Sequence, residues 1–139
     1  MKSLNIDFNQ CEIRRILPPR LEPENMAEKV ICQRPMRHGS PKLDVTLHRS
    51  SKVVAHNYGH GGSGWTLAPA CADYVNSRLT DSPYFSIYGS LNRTNTPITI
   101  IGGGIIGLFT AYDLIKKNFT SVSVVADNFE NTTSHNAGI

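Results

Sequence analysis

The sequence predicts an α/β fold, and three observations predict it. Ile98 to Ile101 is a short β-branched run that leads straight into glycines. Leu108, Ala111, Tyr112 and Ile115 then recur at helical spacing. Val122 to Ala126 follows as a second apolar run of strand length.

Each element of that unit has a physical reason. The strand near 98–101 suits burial on both faces, as in a parallel sheet. Gly102, Gly104 and Gly107 form G-x-G-x-x-G around Ile105 and Ile106. Gly102 permits the tight turn out of the strand, and Gly104 lets backbone approach a pyrophosphate. Gly107 lets the helix pack on the sheet. The helix is expected over about 105–117, with its N-terminal amides and dipole turned toward the phosphates. The second strand is expected over 122–126, parallel and adjacent to the first. Asp127 stands at its end, 20 residues after Gly107, where an acid accepts hydrogen bonds from a ribose hydroxyl. Strand, glycine turn, helix, strand and acid together describe a partial Rossmann-type unit for the ADP half of a dinucleotide. A glycine-rich packing turn in another α/β unit, with Asp127 an ordinary turn residue, is the alternative at this point.

Upstream the same kinds of signal recur. Leu43 to Leu47 alternates apolar and polar residues, and Lys52 to His56 is a second short strand candidate. Glycines follow at 59, 61, 62 and 64. Trp65 to Leu79 then reads as a helix with Leu67, Ala70, Cys71, Tyr74 and Val75 on one face. Pro69 is expected in or near its first turn, where a missing N–H costs little. Pro18, Pro19 and Pro23 break any long helix in the first 30 residues. Residues 81–97 are rich in Ser, Asn, Thr and Pro and read as a linker. The chain therefore divides into 1–80, a linker at 81–97, and the Gly-rich unit at 98–139.

Charge and composition narrow the function classes. Residues 1–60 carry ten basic and six acidic side chains, and residues 61–139 carry four and five. That asymmetry is too weak, and the basic residues too scattered, to expect a nucleic-acid partner. Cys11, Cys32 and Cys71 show neither a disulfide framework nor a zinc spacing, so a reducing, cytoplasmic setting is expected. The first fifteen residues lack the apolar run of a signal peptide. Ile98 to Ile115 is apolar but holds four glycines and Asp113, so no membrane span is expected. His38, His48, His56 and His60 lack metal-ligand spacing. No metal is expected, and His56 and His60 are expected to be structural hydrogen-bonders.

Residues 56–66, His-Asn-Tyr-Gly-His-Gly-Gly-Ser-Gly-Trp-Thr, resemble the signature near the C-terminus of the D-amino-acid oxidases and D-aspartate oxidases. Arg34-Pro35-Met36-Arg37 resembles the R-P-x-R segment of that family. Ala126-Asp127, Thr132-Thr133 and Ala137-Gly138 resemble the stretch after its second strand. Ala55 and Ala70 depart from the pattern, standing where the family usually has a larger aliphatic residue and a glycine. The order departs more. In the family the Gly-rich unit opens the chain and the H-N-Y-G-H-G-G segment closes it, whereas here the closing segment comes first and the long middle is absent. A permuted chain, a tandem-gene junction and a truncated frame all fit that order.

The resemblance implies FAD as cofactor. It also implies oxidative deamination of D-amino acids to 2-oxo acids, ammonia and hydrogen peroxide. It implies Arg34 for the substrate carboxylate, through a bidentate pair. It implies cofactor contacts from Gly61, Gly62, Ser63, Gly64, Trp65 and Thr66. Further cofactor contacts are implied from the first glycine turn and from Asp127, Thr132, Thr133, Ala137 and Gly138. In intact members the two chain ends meet around the flavin, so a chain in this order could rebuild part of one flavin pocket. A non-catalytic remnant that binds nucleotide, or that pairs with another oxidase fragment or a second copy, is the alternative, because the substrate domain is missing. A nicotinamide-linked protein is compatible with the glycine motif but not with residues 56–66.

Overall fold

In the computed structural model the described residues are 18, 20, 22–25, 29, 31–48, 52–84, 92–130, 132 and 133. Two of the predicted cofactor contacts, Ala137 and Gly138, lie outside them.

Strands β1 (Lys42–Leu47) and β2 (Val53–Tyr58) pair antiparallel, with Asp44 opposite His56 and Thr46 opposite Val54. A 3₁₀ turn at Gly61–Ser63 leads into helix α1 (Gly64–Thr80). Strand β3 (Ile98–Ile101), helix α2 (Ile105–Lys116) and strand β4 (Val122–Val125) follow. β3 and β4 pair parallel, Ile98 beside Val122 and Ile101 beside Val125. The fold is therefore α/β, with a partial Rossmann-type βαβ unit. The segment expected not to span a membrane is β3 plus α2, and no helix among the described residues is long and apolar enough to cross one.

One core joins the parts. Leu79 at the end of α1, Leu114 on α2 and Phe119 after it are buried together, with Val45 and Val53 from one sheet and Ile98, Ile100 and Val122 from the other packed around them. Helix α2 stops there for a local reason. Asn118 takes a left-handed φ of 66°, its N–H donates to the Ile115 carbonyl at 2.9 Å, and the Phe119 N–H donates to the Leu114 carbonyl at 3.1 Å. That is a Schellman ending, and the buried Leu114–Phe119 pair supplies its hydrophobic contact.

Four expectations need correction. The buried stripe of α1 is Ala68, Cys71, Ala72, Val75, Asn76 and Leu79, whereas Leu67, Ala70 and Tyr74 are exposed. Small residues at 68 and 72 let α2 lie close, and Leu67 or Tyr74 there would hold it off. On α2 the buried residues are Ala111 and Leu114, while Leu108, Tyr112 and Ile115 stand about half exposed. Helix α1 begins at Gly64, so Pro69 is its sixth residue, beyond the four donors that lack helical partners, and costs one intrahelical bond. Finally, β3 is covered on one face only: Ile98 and Ile100 are half-buried, whereas Thr99 is exposed and Ile101 is 90% exposed. Helix α2 packs on the side of Ile98 and Ile100, and among the described residues the side of Thr99 and Ile101 is exposed.

Candidate functional site

The two glycine turns, far apart in sequence, form the walls of one cleft. Its lining comes from β2, from the turn at Gly59 to Gly64, from β3, and from the start of α2. Arg34, Thr132 and Thr133 complete it. Its volume, about 1230 Å³, exceeds the several hundred to one thousand Å³ typical of small-ligand pockets.

The first wall follows from glycine sterics. Gly102 has a φ of 116° and continues the parallel ladder by donating to the Val125 carbonyl at 2.8 Å. A Cβ at Gly107 would fall on the Gly102 carbonyl oxygen and within 3.5 Å of Ile100, so the helix approaches the strand only without one. Gly104 is the extended N-cap of α2, and its carbonyl accepts the Leu108 N–H at 3.0 Å. Gly103, unassigned by the sequence, is buried beneath the stretch after β4: a Cβ there would lie 2.9 Å from Phe129 and 3.0 Å from Ala126.

The second wall is held by residues 33–37. The Met36–His60 bridge, the Gly61 N–H on the Pro35 carbonyl (3.1 Å) and the Arg37 N–H on the Gly59 carbonyl (3.3 Å) form a short antiparallel pairing. The Arg34 guanidinium then lies over Gly62, where its Nη1 is 2.5 Å from the position of a Cβ. A side chain at 62 would evict it. Thr133 Oγ1 donates to the Gln33 carbonyl at 3.2 Å, bringing the stretch after β4 to the same wall. Gly64 completes the meeting: its Cβ position is 3.5 Å from Ile105 and 4.0 Å from Ile106.

Of the residues picked from sequence, Arg34, Gly61, Gly62, Gly64, Trp65, Gly102, Gly104, Ile105, Ile106, Gly107, Thr132 and Thr133 line the cleft. Ser63 and Thr66 do not; Ser63 Oγ donates back to the His60 carbonyl at 2.8 Å, and Thr66 is exposed on the first turn of α1. Asp127 also lies outside the lining, exposed two residues beyond β4, at the strand ends from which the Gly-rich loop departs. That is the edge where ligands of parallel α/β sheets sit.

The sequence missed several polar residues. His56 Nε2 meets Thr46 Oγ1 at 3.1 Å, but His60, expected to bond structurally, is 8% exposed with no partner for Nε2. Burial pushes its pKa down, so the ring is neutral at pH 7. Asn57, Asn76 and Thr110 also line the cleft and hydrogen-bond across it. Glycines beside His60 were a usable signal, but the partners of the two asparagines lie more than thirty residues away.

The comparisons with known proteins agree with part of this picture. Residues 97–139 match the family model described as FAD dependent oxidoreductase. The chain is 49% identical over 39 residues to a D-amino-acid oxidase of Dictyostelium discoideum, covering 28% of this chain and 11% of that one. It is 44% identical over 57 residues to a Bacillus subtilis chain named as a Rieske 2Fe-2S iron-sulfur protein, covering 40% of this chain and 11% of that one. The matches thus span about a tenth of each relative's length. No solved structure matches.

Proposed function

We propose that the chain forms the FAD-holding part of an oxidoreductase of the D-amino-acid oxidase type. The observation that carries this reading is the convergence of the two glycine turns on one cleft. The residues present fit such a cofactor. Gly102 to Gly107 and the α2 N-terminus suit a pyrophosphate. The turn at Gly61 to Trp65 offers backbone at a helix start for the flavin end. Thr132 and Thr133 close the side between them, and Asp127 serves the ribose at the sheet edge. Ala137 and Gly138 are further contacts on the ground of the resemblance alone. Bound FAD supplies the two-electron acceptor for oxidising an amino acid.

The chain's own contributions are binding and orientation. Arg34 presents a guanidinium fork beside the second turn, suited to a planar carboxylate. Neutral His60 adds no charge to the cleft wall. The overall reaction would release a 2-oxo acid, ammonia and hydrogen peroxide, in a reducing compartment such as the cytoplasm. Cys32 and Cys71 are free thiols, and burial pushes the Cys71 pKa up, which suits that setting.

A second reading is a nucleotide-binding module that is catalytic only when joined to further oxidase sequence. The bare face of β3 and β4, with Ile101 90% exposed, favours it. Another oxidase fragment or a second copy would be the partner.

The test is the absorption spectrum of the purified chain after incubation with FAD and gel filtration. Retained flavin bands, lost in Gly104→Val with the circular dichroism unchanged, are expected. A colourless wild-type protein refutes the FAD reading. Peroxide release with D-alanine or D-aspartate separates the oxidase from the module.

A further inference from the structure

Thr110 is the fixed point between the two glycine turns. Its hydroxyl lies 2.7 Å from the Ile106 carbonyl, which can only accept, so Thr110 donates there. Its oxygen is then the acceptor for Asn57 Nδ2 at 3.0 Å. This fixes the Asn57 amide, because turning it over would set two oxygens face to face. Asn57 Oδ1 is left buried without a donor. The backbone carbonyl of Thr110 takes a second amide, Asn76 Nδ2 from α1, at 3.1 Å.

The positions of these groups matter. Asn57 belongs to β2, which feeds the second glycine turn. Ile106 lies between Gly104 and Gly107, in the first turn of α2. One side chain, Thr110, therefore ties both walls of the cleft together. Gly64 also packs on Ile105 and Ile106, and van der Waals packing of that kind sets no direction. Hydrogen bonds do, because they weaken steeply with angle and distance.

We infer that Asn57 and Thr110 are a positioning pair that sets the separation of the two glycine turns. The pair thereby favours a ligand long enough to span both over one that touches only the first. This rests on the FAD reading above. ADP needs the first turn alone, whereas FAD needs both at the correct distance.

The test is calorimetric titration of the full chain with FAD and with ADP. Thr110→Val removes the hydroxyl at nearly constant volume and is expected to weaken FAD about tenfold, with ADP changed by less than about twofold. Thr110→Ser keeps the hydroxyl and is expected to keep both affinities. Should the valine variant fold poorly, Asn57→Ala is expected to show the same FAD-selective loss. Equal weakening of both ligands, or no change in either, overturns the positioning role. A wild-type chain that takes up no FAD instead overturns the cofactor reading itself, and the pair's role falls with it.

Discussion

Asn76 on α1 donates to the Asp113 carboxylate on α2 at 2.8 Å, from a position only 1% exposed. The same carboxylate oxygen receives Lys117 Nζ at 2.6 Å, and Lys117 also reaches Asp73 on α1 at 2.8 Å. Burial alone would pull the lysine pKa down, but hydrogen bonds to Asp113 and Asp73 outweigh it and hold the pKa above its ordinary value. The helix seam is therefore a polar ladder within an apolar contact.

Removing the amide tests that ladder. Asn76→Ala takes a donor from both the Thr110 carbonyl and Asp113 and is expected to cost roughly 2 kcal/mol. The urea midpoint should fall at an unchanged m-value. An unmoved midpoint would show that the seam holds by packing alone.

Gly107 and Gly102 are expected to respond in a definite order. In Gly107→Ala the new methyl meets the Gly102 carbonyl oxygen, a backbone atom that cannot give way cheaply, and the expected cost is about 3 kcal/mol or more. Around Gly102 the space is open but φ is 116°, so Gly102→Ala costs only backbone strain, about 1–2 kcal/mol. Thermal melts that rank the two the other way would contradict this account of the loop.

Stability should depend on pH through His60. Its folded pKa lies below the ordinary 6.5, so between the two values the unfolded chain binds a proton that the folded chain does not. The stability held by the neutral ring is complete above 6.5 and is lost as pH falls through the folded value. His60→Gln should flatten the urea-midpoint profile as pH falls below the ordinary histidine value of 6.5. An identical slope in both proteins would assign the loss to other groups.

The face of β3 and β4 that is uncovered among the described residues predicts low stability for the isolated chain. Melting is expected below about 60 °C. Ile101 makes little of what stability there is, so Ile101→Thr should stay within about 0.5 kcal/mol of wild type. A large destabilisation would mean that Ile101 is covered in solution.

What the sequence could show was local. The glycine spacing and the β-branched runs at 98–101 and 122–125 located the βαβ unit within a residue or two, because turn and strand preferences are written in neighbouring residues. The buried face of α1 was not legible. Leu67 and Tyr74 look like core by hydrophobicity, but the partner is a closely approaching helix that accepts Ala68 and Ala72 and bonds to Asn76. The Thr110 junction was hidden for the same reason, since each of its asparagines is an ordinary polar residue until α2 is in place. Gly103 looked like a spacer within the motif, and only the fold of residues 126–129 over it gives it a task.

The bond from Thr133 to the Gln33 carbonyl spans 100 residues. Together with the helix seam, it makes the association of the two halves largely independent of the covalent path between them. Cutting the chain between α1 and β3 is then expected to yield two complementing fragments. Their union would be bimolecular, whereas the covalent link of the intact chain raises the local concentration of each half. Complementation of the two fragments would show that these contact surfaces, and not only succession along the chain, specify the assembly.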